Sequence, residues 1–228
     1  MLARPNISMR IRLLLALGTL SLFALSGIGL WALRSQMLED RQAELRKLLD
    51  LTLSVARAAM MKAGGPASEA GRKTFFEVLQ SARFGKEKEQ NYIWAYDYDG
   101  VAKAHIDPKK LGQNRLNIVY ANGIQQVQEY IRIAKSPEGA GFIKYPIEKG
   151  PGGPLTLKLS LIQNVPEIGA LVGVGAYIDD VDADWYRQLF MEGAMLAAVL
   201  APIGAAGFLI RSSYSRTDVF RGVSIACD

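Results

Sequence analysis

His105 is the only histidine among 228 residues, and it stands two positions before Asp107. On extended backbone that spacing would put both side chains on one face. Lys158 and Ser160 repeat it in the stretch TLKLS. Neither pair is equipped for catalysis. No serine or cysteine nucleophile accompanies His105 and Asp107, and the serine–lysine hydrolases place their pair on a helical turn rather than along a strand. One histidine and one cysteine, Cys227, leave no metal-ligand cluster. Asp179, Asp180, Asp182 and Asp184 lack the glycine-turn spacing of a calcium loop and read as a solvated helix cap. The chain is therefore not expected to be an enzyme or to need a metal or cofactor. What remains is binding chemistry. Trp94 and Tyr96 have apolar bodies with polar tips, His105 has a ring hydrogen-bond donor, and Lys158 is a point charge for a carboxylate. Each also has a plainer reading: Trp94 and Tyr96 as core, His105 as a structural histidine, Lys158 as a solvated cation.

The element that must position them is Asn91–Asp107. Tyr92, Trp94, Tyr96 and Tyr98 alternate with Ile93, Ala95 and Asp97, the period of a strand. Asp99-Gly100 is a hairpin turn signal, Val101–His105 reads as the returning strand, and Asp107-Pro108 ends the ladder because proline has no N–H to donate. An aromatic face and the histidine thus lie side by side on a hairpin.

Two apolar runs bracket the chemistry. Leu13–Leu33 carries no charge, and Leu189–Ile210 carries one acid, Glu192; each is long enough for a bilayer. The first is too long for the apolar core of a signal peptide. Arg4, Arg10 and Arg12 precede the first span and Arg211, Arg216 and Arg221 follow the second, so both termini are expected in the cytoplasm. The reading is a cytoplasmic N-terminus at 1–12, spans at 13–33 and 189–210, an extracytoplasmic domain at 34–188 and a short cytoplasmic tail at 211–228, in a multi-pass inner-membrane protein. The outer segment, with 21 basic and 19 acidic residues, does not have the charge of a nucleic-acid binder. It contains no cysteine, so its core must hold it together without disulfides.

Arg34–Lys62 continues out of the first span as an amphipathic helix, with Leu38, Leu45, Leu48, Leu49, Leu53, Ala56 and Met60 recurring at three- and four-residue steps, broken at Gly64-Gly65-Pro66. Ser68–Phe84 reads as a second helix with Ser68 as N-cap. Pro108–Asn117 reads as irregular, Gly123–Ala134 as a short helix, and Gly141–Pro146, Leu155–Ile162 and Leu171–Ile178 as strands. The expected fold is α/β (α+β): a PAS-like antiparallel sheet of about five strands with a long N-terminal helix, the helices covering one face, flanked by two transmembrane helices. The alternating Gly173 and Gly175 suit a central strand closely approached by another backbone.

In this order the segments RFG at 83–85, NYIWAYDYDG at 91–100, AHIDP at 104–108, LGQN at 111–114, NG at 122–123, GAGFIKY at 139–145, LKLS at 157–160 and GVGAYIDDVD at 173–182 resemble the single Cache sensor domain of bacterial chemoreceptors and related transducers. The resemblance covers essentially all of 34–188. It implies a membrane-distal small-molecule pocket, in many relatives for small carboxylates, which places Trp94, Tyr96, His105 and Lys158 around a small organic anion. It also implies a homodimer through the long N-terminal helix. The sequence departs from the family pattern at Leu161, Ala170 and Ile106, where Tyr, Trp and Pro are usual, and the two missing aromatics are expected to alter the ligand site.

Three functions follow as expectations. The first is a chemoreceptor-type sensor passing a ligand signal across the membrane, cut off before its signalling module. The second is the same sensor from a histidine kinase or cyclase. The third is a membrane-anchored protein-interaction domain, from which saturable binding of a small ligand would distinguish the first two.

Overall fold

The computed structural model describes residues 7–84, 91–120, 123–149 and 152–224. The Gly of the segment at 83–85 and the Asn of that at 122–123 lie outside these residues. The chain divides into two units, Gln36–Asp182 and a second made of Met1–Ser35 with Ala183–Asp228.

The second unit is helical. It holds the first part of α1, which runs unbroken over Ile7–Lys62, and most of α4, Asp179–Ser224. Both helices are long and apolar enough to cross a membrane. Within this unit Ser26 Oγ donates to Glu192, giving the one acid of the second apolar run a partner. Trp185 Nε1 donates to the Leu30 carbonyl at 3.1 Å.

The first unit is built on one antiparallel sheet. Its strands β1 (Ile93–Asp97), β2 (Ala102–Ala104), β3 (Ala140–Glu148), β4 (Leu155–Val165) and β5 (Ala170–Tyr177) lie in the order β2-β1-β5-β4-β3. The central strand β5 is buried along its whole length, which explains its unbroken small and apolar sequence.

Helices cover both faces, a correction to the one-faced expectation. On one side, Leu45, Leu49, Leu53, Ala56 and Met60 of α1 and Phe75 and Leu79 of α2 (Glu69–Ser81) pack on Ile93, Ala95, Leu159, Leu161, Val172 and Val174. On the other, Val127, Tyr130, Ile131 and Ala134 of α3 (Gln126–Ala134) pack against Trp94, Tyr96, Tyr145, Ile162 and Leu171. The alternation in β1 therefore separates two cores rather than core from solvent.

Local signals set the ends of these elements. Ser68 Oγ accepts from the Gly71 amide at 2.8 Å, the N-cap expected for α2. Arg83 closes the other end of α2 by donating to the Gln80 and Ala82 carbonyls at 2.6 and 2.7 Å. The return strand stops at Ala104, so His105 lies just past its end rather than within it. Asp107 caps a single 3-10 turn, Pro108–Lys110, through Oδ1 and the Lys109 amide.

Candidate ligand site

The α3-side face of the sheet carries a small cavity. From the sheet come Trp94 and Tyr96 of β1, Tyr145 and Ile147 of β3, and Lys158 of β4. Tyr92 and His105 flank the hairpin, while Lys110 and Tyr120 belong to the connection after it and Gln126 and Tyr130 to α3. All four residues singled out from the sequence, Trp94, Tyr96, His105 and Lys158, line this one space. The cavity volume of about 20 Å³ is enough for a water or two.

Strand register explains the convergence. Lys158 pairs with Tyr145 on one side and Tyr177 on the other, and Trp94 pairs with Gly173. Even positions of β4 and odd positions of β3 and β5 therefore share this face. A Cβ on Gly173 would lie 2.3 Å from Trp94 Cε2, and one on Gly175 would lie 2.3 Å from Ser160 Oγ and 2.9 Å from Lys158 Cε. The two glycines thus make room for the side chains of Trp94, Ser160 and Lys158, and not, as expected, only for a neighbouring backbone.

Lys158 is 1% exposed. Its Nζ lies 4.4 Å from the Tyr92 ring centre and 5.1 Å from those of Trp94 and Tyr177. These π faces attract an ammonium, but among the described residues no Asp or Glu lines the cavity. Burial, and then the positive charge of Lys110, lowers its pKa to about 7. Lys110 is itself lowered, first by burial and then by Arg115. Asp107 and Glu148 act on Lys110 in the opposite sense, but neither is among the described lining residues.

His105 is 5% exposed and its ring centre lies 5.2 Å from that of Tyr92. Its Nδ1 accepts from the Asp107 amide at 2.9 Å. That bond requires a bare Nδ1, so the neutral ring carries its hydrogen on Nε2. Burial, followed by Lys110, lowers its pKa to about 3. His105 therefore offers a neutral N–H donor.

The hydroxyls form a buried chain in which Tyr130 donates to Tyr145 at 2.6 Å and Tyr145 lies 3.0 Å from Ser160 Oγ. Burial raises the Tyr145 pKa to about 12, so its proton remains a donor. Two further donors in the lining, Trp94 Nε1 and Gln126 Nε2, are buried without a hydrogen-bond partner among the described residues. Buried donors left unpaired are costly and uncommon in native structures. A ligand rich in acceptors would satisfy them.

Sequence reasoning did not assign Tyr92, Lys110, Tyr120, Gln126, Tyr130 or Tyr145 to the site. Tyr92 is in phase with Trp94 and Tyr96, and Tyr145 is in phase with Ile143 and Ile147, so period-2 alternation carries a signal for both. Lys110 and Tyr120 come from irregular chain, where no period indicates direction. The departures at Leu161 and Ala170 fall elsewhere: Leu161 joins the α1-side core, and Ala170 is in register with Val172 and Val174 on that face. The absent aromatics therefore remove nothing from the cavity wall.

The family model Single Cache domain 2 matches residues 37–190. The sensor histidine kinase MctS of Rhizobium johnstonii is 33% identical over 148 residues, which are 64% of this chain and 31% of that protein. The chain thus spans about a third of the length of that curated relative. A solved methyl-accepting chemotaxis protein from Vibrio parahaemolyticus superposes with a TM-score of 0.58 at 21% identity, covering 67% of this chain and 99% of that one. A Cache chemosensory domain solved for its recognition of carboxylic acid gives a TM-score of 0.50 at 23% identity, covering 60% of this chain and 95% of that one.

Proposed function

This chain belongs to the single Cache domain family, and we propose that its domain at 34–188 is an extracytoplasmic sensor that binds a short carboxylate and reports it across the membrane. Single Cache domains are ligand-binding sensor modules rather than enzymes. The observation that carries the carboxylate reading is the buried Lys158 ammonium, with no acid among the described lining residues and two donors there without a partner among the described residues. A carboxylate would meet both needs, and a charge-assisted hydrogen bond to a buried ammonium is worth about 1.5–3 kcal/mol. The aromatic cage does not suit an ammonium ligand, because Lys158 already occupies it. Carboxylic acid recognition by a structurally similar Cache domain supports the same class.

The surrounding assembly is part of the proposal. The two apolar helices flank the domain as membrane spans, with both termini cytoplasmic. Leu51, Val55 and Ala58 leave an exposed small and apolar stripe on α1 at three- and four-residue steps, which fits a homodimer through that helix. The output is that of a chemoreceptor or a sensor histidine kinase, the kinds of protein found among its relatives.

Calorimetry of the chain in lipid nanodiscs against acetate, propionate and acetamide tests the binding claim. Saturable binding of the acids, with acetamide at least tenfold weaker, supports it. Equal affinity for acetate and acetamide, or no binding of either acid, overturns it.

A further inference from the structure

Gln126 is 1% exposed, lines the cavity and leaves its Nε2 without a partner among the described residues. It stands at the first turn of α3, four residues before Tyr130, so the two share a helix face. Tyr130 is tied down by the Tyr145 hydroxyl; Gln126 Nε2 has no such tie. A glutamine so deeply buried with a free donor makes a ligand contact or costs stability.

Its location decides which ligand atom it would meet. Lys158 Nζ lies close to the rings of Tyr92 and Trp94, and the Tyr92 ring lies against His105. Ammonium, indole N–H and imidazole N–H thus gather on the sheet and hairpin side, sufficient donors for both oxygens of a carboxylate. Gln126 comes from the helix packed over that sheet.

We propose that Gln126 is the specificity-determining residue of this site: its Nε2 donates to a second oxygen beside the carboxylate, so that 2-oxo and 2-hydroxy acids bind in preference to unsubstituted acids of the same carbon number. The inference rests on the carboxylate reading above. A site built to hydrogen-bond a substrate oxygen rejects an analogue that lacks it, because its own donor is then left buried and unpaired. Pyruvate and propionate have the same carbon number and differ at C2, which makes them a matched pair of probes.

The test is calorimetry of both acids with the chain in nanodiscs, for the wild type, Q126M and Q126E. The wild type should bind pyruvate about tenfold or more tightly than propionate, and both variants should bring that ratio below threefold. Q126E retains the volume of the native side chain and carries the test if Q126M does not fold. A wild type that binds both acids equally, or variants that keep the full ratio, overturns the role of Gln126 while leaving the carboxylate reading intact. A wild type that binds neither acid overturns both.

Discussion

Lys158 Nζ sits 4.4 Å from the centre of the Tyr92 ring, in a cavity whose described lining residues include a second lysine and no acid. Charge without a counter-charge has consequences for binding, for pH and for the glycines that make the space.

The first consequence is pH-dependent affinity. With its pKa lowered to about 7, Lys158 is largely neutral above that pH and must take up a proton to pair with a carboxylate. The dissociation constant for acetate should therefore be flat below pH 7 and rise by up to tenfold per unit above it. Lys110→Met removes the second cause of the shift and should move the break to higher pH. A flat profile from pH 6 to 9 would show that the ammonium is not the binding form.

His105 makes a separate prediction about stability. Its pKa falls from 6.5 to about 3 on folding, so between those values the unfolded chain holds the extra proton. Stability should decline as pH drops from about 6.5 toward 3, by on the order of a few kcal/mol for this residue. His105→Asn should show a shallower decline than the wild type in denaturant titrations across that window. Parallel curves would remove His105 as a cause.

Gly173 should tolerate no side chain. Its Cβ would lie 2.3 Å from the Trp94 ring, which Tyr92 and Tyr130 hold at centroid distances of 5.8 and 5.9 Å. Overpacking of this kind costs about 1–3 kcal/mol. Gly173→Ala should lower the melting temperature by several degrees and weaken acetate binding. A raised melting temperature, as expected from better strand propensity alone, would mean that the ring moves freely.

Topology is open to a direct check. Reporter fusions at Asp228 and near Gly152 should give opposite compartments. The same compartment for both would remove the second span.

Much of this site can be read along the strands. The phase shared by Trp94 and Tyr96 survives folding because a pleated strand sends alternate side chains to opposite faces, and Lys158 joins them by register across β5. What alternation does not tell is whether the second face is wet. Ile93 and Ala95 read as its mere counterpart until α1 covers them, so a sheet expected to be covered on one side is buried on both. Lys110 and Tyr120 reach the cavity from non-periodic chain, and the donor of Gln126 becomes conspicuous only once every neighbour is known. His105 is the instructive case: the amide of Asp107 occupies Nδ1 and leaves Nε2 as the donor, a contact made by a turn and not by spacing along a strand.

The measurement that bears most directly on the central claim is the affinity of acetate for Lys158→Ala compared with wild type, in the full chain at pH 6.5 with folding of both verified by circular dichroism. A tenfold or greater loss of affinity is the predicted result. A folded variant that binds acetate within a factor of two of wild type would contradict it.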